Sequence, residues 1–336
     1  MKKALVTAGV LSPAVLLFAA ATVAKAPKEP LGLLPITWPK DNPYSAEKVE
    51  LGKVLYFDKR LSADGTVSCA TCHDPKFAFT DGAPTSTGIN GQKGGRSAPT
   101  VINRAWSNAQ FWDGRAASLE AQALGPVQNP IEMGNSLNNM VKTLNGIAGY
   151  KPLFTKAFGD GEATAARVAM AIATFERTVV SGNAPYDKWK AGQATAMSPA
   201  AIRGYKVFQK AECDACHEGQ SFTSNMYTNI GVGLDKPNPD LGRYVVTKND
   251  ADWGAFKTPT LREIEHTGPY MHDGSMKTLE EVVDYYDKGG TPNKNLDTHI
   301  KKRNLSAGEK SDLVAFMKAL SGTGWRGIAA PTSFPQ

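Results

Sequence analysis

The sequence of 336 residues lacks features that mark several common protein classes. It contains no dense block of lysine and arginine, and its formal net charge is only +6, so a nucleic-acid-binding surface is not expected. Strand patterns are weak throughout, which favours a mainly α fold. Beyond residues 4–24, no stretch is long and apolar enough to span a bilayer.

Cysteine is also scarce, and all four cysteines fall in two copies of the pattern CxxCH. Two cysteines at this spacing can form thioethers with the vinyl groups of a haem, while the adjacent histidine ligates the iron. Zinc knuckles and redox CxxC pairs are the alternatives, but neither requires a histidine directly after the second cysteine. The sequence therefore predicts two covalent c-type haems, held by Cys69, Cys72, His73, Cys213, Cys216 and His217.

The amino terminus has the pattern of a secretory signal. Lys2 and Lys3 precede an apolar run that ends in small residues, which predicts a signal peptide over residues 1–26 with cleavage near 24–26. An uncleaved membrane anchor is the alternative, although Ser12 and Pro13 interrupt the run. Removal of residues 1–24 lowers the formal charge to +4. We expect a periplasmic protein.

The rest of the chain indicates two similar units. A helix capped by Ser45 precedes the first motif, and a helix starting at Ser198 and Pro199 precedes the second. A helix within 163–180 and another after the capping box Ser306–Glu309 are expected to close the two units. The stretch 181–199, which is rich in Gly, Pro and Ala, then divides domains 27–182 and 183–336. Long loops over 80–99 and 220–257 are expected to be held by the haems and by packing between the domains.

Three longer strings give a more specific indication than CxxCH. Residues 96–103 (RSAPTVIN), 110–134 (QFWDGRAASLEAQALGPVQNPIEMG) and 258–283 (TPTLREIEHTGPYMHDGSMKTLEEVV) resemble, in order, the bacterial diheme cytochrome c peroxidases and their MauG-type relatives. The resemblance implies two class I cytochrome c-like domains joined by long loops. It also implies a peroxide-reacting haem in the first domain and an electron-transfer haem in the second.

Individual roles follow from the same resemblance. His73 matches the proximal ligand of the peroxidatic haem, and His217 that of the electron-transfer haem. Glu132 matches the distal acid that moves the peroxide proton, and Trp112 the tryptophan that bridges the haems. Gln122 has a supporting role near the distal side, as has Pro126. Without the family context, Glu132 reads as a surface carboxylate at a helix start and Trp112 as a core residue.

Two departures from the family pattern concern the axial ligands. No histidine lies between His73 and His217, so no histidine from this segment can block the first haem iron. Lys93 in the same segment is expected to be solvated. At the second haem, Tyr286 occupies the position of the usual axial methionine, as in MauG-type enzymes. Simple helix packing of Tyr285 and Tyr286 is the alternative. The first haem should therefore be open to peroxide, and a phenolate should hold the second haem ferric.

The family also binds calcium between the haems. The resemblance implies that the backbone carbonyls of Thr267 and Pro269 are ligands, but Ser97 stands where an asparagine is usual. Loss of that amide oxygen weakens a site that depends on the number of oxygen ligands.

The function expected from the sequence is reduction of hydrogen peroxide by a periplasmic diheme peroxidase that takes electrons from a small cytochrome or copper protein. One alternative is MauG-like oxidation of tryptophan or tyrosine on a partner protein. A second alternative is a diheme electron carrier without enzymatic activity. The oligomeric state stays open, with a homodimer as one option.

Overall fold

The computed structural model describes residues 25–336, so the apolar run and nearly all of the expected signal peptide lie outside the described residues. None of the helices between residues 25 and 336 has the length and apolar character needed to cross a membrane.

Helices dominate the described part of the chain, which confirms the mainly α prediction. The only paired strands there are β1 (Tyr227–Thr228) and β2 (Phe256–Lys257), which are antiparallel with Tyr227 opposite Lys257. The α-helices of residues 25–336 are α1 (Ala46–Phe57), α2 (Cys69–Cys72), α3 (Leu119–Gln128), α4 (Leu137–Gly146), α5 (Tyr150–Phe158), α6 (Ala165–Thr178), α7 (Pro185–Lys190), α8 (Pro199–Lys210), α9 (Tyr244–Thr247), α10 (Leu279–Asp287) and α11 (Ala307–Lys318).

The four predicted long helices are all present, and the three for which a cap was predicted have that cap. Ser45 accepts the backbone N–H of Lys48, and Ser198 accepts that of Ala201. Ser306 and Glu309 form the predicted capping box at the start of α11. These caps satisfy N–H groups that the first helical turn leaves without an intrahelical partner.

Each motif belongs to a unit built on one pair of crossing helices, α1 with α6 and α8 with α11. Gly52 of α1 meets the carbonyl oxygen of Ala171, which a Cβ would approach to 1.9 Å. Gly204 of α8 meets the carbonyl oxygen of Asp312 in the same way, at 1.8 Å. Both crossings therefore require glycine, because any larger residue would force the helices apart. This repeated feature supports the internal duplication.

Two hydrophobic clusters form the interior, one in each half. The first contains residues between Leu51 and Val179, and the second contains residues between Met197 and Leu320. The carboxyl-terminal segment leaves the second cluster, because Trp325 is buried in the first. The backbone N–H of Gly149 also donates to the carbonyl oxygen of Gln336 (2.8 Å).

The stretch 181–199, where we expected the junction, is an ordered passage between the clusters. It contains α7, whose Asp187 forms a buried ion pair with Arg262 (2.7 Å). The two long loops also contact each other, since Arg96 of the first forms an ion pair with Asp240 of the second (2.6 Å). Packing between the halves thus holds these loops, as expected.

Candidate functional site

The four cysteines of the two motifs form no disulfide and lie in partly buried positions. Burial raises the pKa of Cys72 to about 11 and that of Cys213 to about 12, and it also raises the pKa of Cys69 and Cys216. Redox CxxC pairs depend on a lowered thiol pKa, so this environment does not fit them. Across residues 25–336, no three His, Cys, Asp or Glu side chains converge as metal ligands, so the donor sets also do not fit a zinc knuckle.

The two motif histidines have the same orientation. Nδ1 of His73 lies 3.3 Å from the carbonyl oxygen of Phe79, and Nδ1 of His217 lies 3.0 Å from that of Phe222. A carbonyl only accepts, so each Nδ1 carries the proton and each Nε2 keeps its lone pair. Burial lowers the pKa of both rings, which favours the neutral form. This arrangement fits an axial haem ligand, whose other nitrogen is usually held by a hydrogen bond.

A large cavity adjoins the second motif. It is partly open to solvent, and its lining includes Cys213, Cys216, His217 and Tyr286 among mostly apolar side chains. A flat, largely apolar group attached through the two cysteines fits this lining.

The structure separates the roles of the two neighbouring tyrosines. The hydroxyl of Tyr285 donates to the carbonyl oxygen of Ile230 (2.8 Å) and lies 3.1 Å from the Thr291 hydroxyl. Tyr286 lines the cavity, and its hydroxyl forms no hydrogen bond with any residue of 25–336. Burial raises the pKa of Tyr286, so its phenolate would form only against a cation such as ferric iron. The two tyrosines thus differ in that only the Tyr285 hydroxyl is bonded within the described part of the chain.

Trp112 lies where the two halves of the protein meet. Its indole N–H donates to the carbonyl oxygen of Ser97 (2.8 Å), and its own carbonyl oxygen accepts the N–H of Lys257 (2.7 Å). Trp112 also lines the cavity that contains His217. Trp112 is therefore held by contacts from both halves, and its side chain is only half-buried. A residue that merely filled the core would need neither feature.

A set of charged residues that sequence reasoning did not single out surrounds Trp112. Arg96 bridges Asp113 (2.7 Å) and Asp240 (2.6 Å), and Arg243 donates to the carbonyl oxygen of Asp113 (2.9 Å). Asp113 follows Trp112 directly, so these contacts fix the backbone that carries the indole. No local pattern could have revealed them, because Asp240 and Arg243 are distant in sequence.

Glu132 occupies a turn after α3 rather than a helix start, so the helix-start interpretation is wrong. Its Oε1 accepts from the Asn129 side chain (2.7 Å), and its carbonyl oxygen accepts the N–H of Ile89 (2.9 Å). Burial raises the pKa of Glu132, although Arg115 and Asn129 oppose the shift. Burial is the main cause of the raised pKa of the Cys72 thiol, and the charge of Glu132 makes a smaller contribution in the same direction.

The remaining predicted site residues make few side-chain contacts that bear on their proposed roles. Gln122 lies on α3, half-buried, and its side-chain amide makes no hydrogen bond in the described part of the chain. Thr267 and Pro269 line the cavity together with Ser97, and no group of three or more His, Cys, Asp or Glu side chains in residues 25–336 is arranged to hold a metal ion. Lys93 is exposed and donates to the Thr87 hydroxyl (2.5 Å), as the solvated reading requires.

Comparison with known proteins agrees with this arrangement. A family model described as di-haem cytochrome c peroxidase matches residues 46–195. Methylamine utilization protein MauG of Methylorubrum extorquens is 46% identical over 84% of this chain and 80% of its own length. Cytochrome c551 peroxidase of Nitrosomonas europaea is 40% identical over 83% of this chain and 81% of its own length.

Solved structures show the same fold. A MauG-like protein associated with microbial copper homeostasis is 34% identical, covers 90% of this chain and 97% of its own, and superimposes with a TM-score of 0.83. The diheme peroxidase BthA of Burkholderia thailandensis, with 22% identity and a TM-score of 0.73, shows likeness of fold alone. The chain therefore belongs to the di-haem cytochrome c peroxidase family and is an oxidoreductase of the peroxidase class.

Proposed function

We propose that the protein binds two c-type haems and reduces hydrogen peroxide in the periplasm. The supporting observation is the repeated histidine geometry, in which a backbone carbonyl holds Nδ1 and leaves Nε2 free beside two cysteines. Domain 27–182 would hold the peroxidatic haem, and domain 183–336 the electron-transfer haem. The attachment residues are Cys69, Cys72, Cys213 and Cys216, and the axial ligands are His73, His217 and Tyr286. When bound, the haems supply redox-active iron.

Glu132 is the proposed proton carrier. The Asn129 side chain donates to Oε1 of Glu132. Oε2 accepts no hydrogen bond from any residue in 25–336, so it is available to accept the peroxide proton. The carboxylate would take the proton from one peroxide oxygen and return it to the departing oxygen. Its burial and raised pKa favour this exchange, because they bring the pKa closer to neutral pH. Gln122 is proposed only as a neighbour of this step.

Trp112 is the proposed connection between the two halves. Its N–H and its carbonyl oxygen are both bonded, so the indole is held in one position at the edge of the cavity. An aromatic ring held this way can carry an oxidising equivalent between the halves.

A second candidate function is oxidation of tryptophan or tyrosine residues on a partner protein. The unbonded Tyr286 hydroxyl favours it, since the sequence resemblance associates a tyrosine at this position with MauG-type enzymes. A small cytochrome or copper protein is the donor in the first candidate, and a protein substrate replaces it in the second. A non-enzymatic electron carrier would not need a half-buried Glu132 whose pKa is raised by burial. Calcium at Thr267 and Pro269 and a homodimer stay predictions.

Haem attachment gives the first test. The exported protein should have a mass equal to the processed chain plus two haems, because each CxxCH offers one complete attachment site. Intact-mass spectrometry checks this result. Cys72→Ser and Cys216→Ser, made as two separate variants, should each weaken the attachment of one haem. A wild-type mass gain of a single haem would contradict the diheme assignment.

Trp112→Phe tests the connection. Peroxide should still change the absorbance of the first haem, whereas the change at the second haem should slow by about tenfold or more, on the scale of an altered kinetic barrier of roughly 1.4 kcal/mol. Rapid-mixing spectroscopy measures both signals. Trp106→Phe is the matched control, because Trp106 does not line the cavity. Equal rates at the two haems in Trp112→Phe would show that another route dominates.

A further inference from the structure

Two buried cationic side chains line the cavity. Lys257, on β2, is 4% exposed, and Arg104, in the turn Arg104–Trp106, is 9% exposed. They come from opposite halves of the chain, and Lys257 is bonded through its backbone N–H to Trp112.

Neither cation has an acidic partner. Within residues 25–336, no carboxylate oxygen lies within 4.0 Å of either side chain. The only side-chain hydrogen bond of Arg104 there runs from Nε to Oε1 of Gln110 (3.0 Å), and the ammonium of Lys257 makes none. Glu176 acts on the charge of Arg104 from a distance, without an ion pair.

Two other buried arginines have the carboxylate partner that Arg104 lacks. Arg262 binds both oxygens of Asp187, and Arg177 binds both oxygens of Glu120. An unpaired buried charge is costly, and two like charges close together are more so. Burial and, to a smaller extent, the charge of Arg104 lower the pKa of Lys257 to about 6. The chain thus buries a basic amine and a guanidinium in one pocket and gives neither an ion-pair partner, so an anion bound there would restore the charge of Lys257.

We propose that Lys257 and Arg104 bind the carboxylate groups of haem. This inference rests on the proposed function, because it requires haem in this cavity. Haem carries its carboxylates on the edge opposite the vinyl groups, so attachment at Cys213 and Cys216 leaves them to the far side of the cavity. The lysine and the arginine would each form a charge-assisted hydrogen bond with a carboxylate. Since one cation comes from each half, the haem would join the halves beside Trp112.

The pair has a consequence for the iron. A positive charge near a haem favours ferrous iron over ferric iron, because ferric iron carries one more positive charge. Lys257 and Arg104 therefore raise the potential of the haem that they bind, in opposition to the anionic Tyr286 ligand. They act as positioning residues and take no part in the proton transfer.

The test uses the haem-loaded protein. Lys257→Met and Arg104→Gln should retain two haems by mass but shift the haem carboxylate bending band in resonance Raman spectra. At a fixed applied potential the ferrous to ferric ratio should fall by about tenfold, which is 59 mV for one electron. Lys257→Met should also lower the thermal midpoint, because a buried carboxylate loses its cation. Lys93→Met, which removes an exposed lysine, is the matched control and should change none of these quantities.

Several outcomes would overturn the proposal. One is an unchanged band and potential in both variants with two haems bound; another is a raised thermal midpoint in Lys257→Met. A wild-type potential that follows the chloride or phosphate concentration, with this dependence lost in the variants, would assign the pocket to a small anion. If Lys257→Met does not fold, Lys257→Arg should keep the potential while altering the Raman band, and unaltered bands would overturn the proposal. Fewer than two haems in the wild type would refute the proposed function instead.

Discussion

Replacement of Glu132 by glutamine is expected to slow the reaction with hydrogen peroxide by about a hundredfold or more, the usual scale of general acid–base help. The amide can occupy the same space and can still interact with Asn129, but it cannot accept the peroxide proton. Both haems should remain attached, since Glu132 is not an attachment residue. Stopped-flow absorbance of the first haem measures the rate. Glu162→Gln, which changes an exposed carboxylate, is the control and should leave the rate unaltered.

The pH dependence gives this prediction a second readout. The step requires ionised Glu132, so the rate should fall as the pH drops through its pKa. Burial raises that pKa, and the acid limb should therefore lie above the value of about 4.3 for an ordinary glutamate. The limb should disappear in Glu132→Gln. A glutamine variant with the wild-type rate and the wild-type acid limb would assign Glu132 a structural role only.

Replacement of Tyr286 by methionine should change the second haem more than any other single substitution. A neutral thioether favours ferrous iron where a phenolate favours ferric iron, so the midpoint potential should rise by on the order of 0.1 V or more, within the roughly 0.8 V that axial ligands span. Spectroelectrochemistry and the low-spin absorption bands check this result. Tyr285→Phe is the matched control, because the Tyr285 hydroxyl is already bonded to the backbone of Ile230.

In the wild-type protein, the first haem should be open to peroxide in the oxidised state. No histidine lies between His73 and His217, and Lys93 is exposed, so the fully oxidised protein should react with peroxide without prior reduction. Tyr286→Met should bring the protein closer to a conventional cytochrome c peroxidase. An oxidised wild-type protein that stays inert until half-reduced would refute the open first site. An unchanged spectrum in Tyr286→Met would refute the tyrosine ligand.

Local signals carried much of the correct interpretation. The helix starts at Ser45, Ser198 and Ser306 could be predicted because capping depends on residues within one turn. The family resemblance rested on continuous strings, and the comparisons confirm it. The resemblance selected Tyr286 rather than its neighbour Tyr285 as the axial residue. The structure adds that the Tyr285 hydroxyl is bonded to the backbone of Ile230, whereas Tyr286 lines the cavity.

Contacts between distant segments were beyond the reach of the sequence. The clamp of Arg96 on Asp113 and Asp240 joins loops separated by more than a hundred residues, and the return of Trp325 to the first cluster crosses the expected domain boundary. The two unpaired cations were also invisible, because a lysine or arginine is normally solvated and only the folded chain shows that Lys257 and Arg104 are buried.

The sequence by itself determined the two CxxCH motifs, the mainly α class and the family of the protein, because these depend on spacing and local propensity. The tertiary structure alone decided that the Tyr285 hydroxyl is bonded to the backbone, how Trp112 is held between the halves, and where Lys257 and Arg104 lie without an ion-pair partner. The physical reason is that burial and charge compensation depend on what the rest of the chain places around a residue, and no local pattern contains that information.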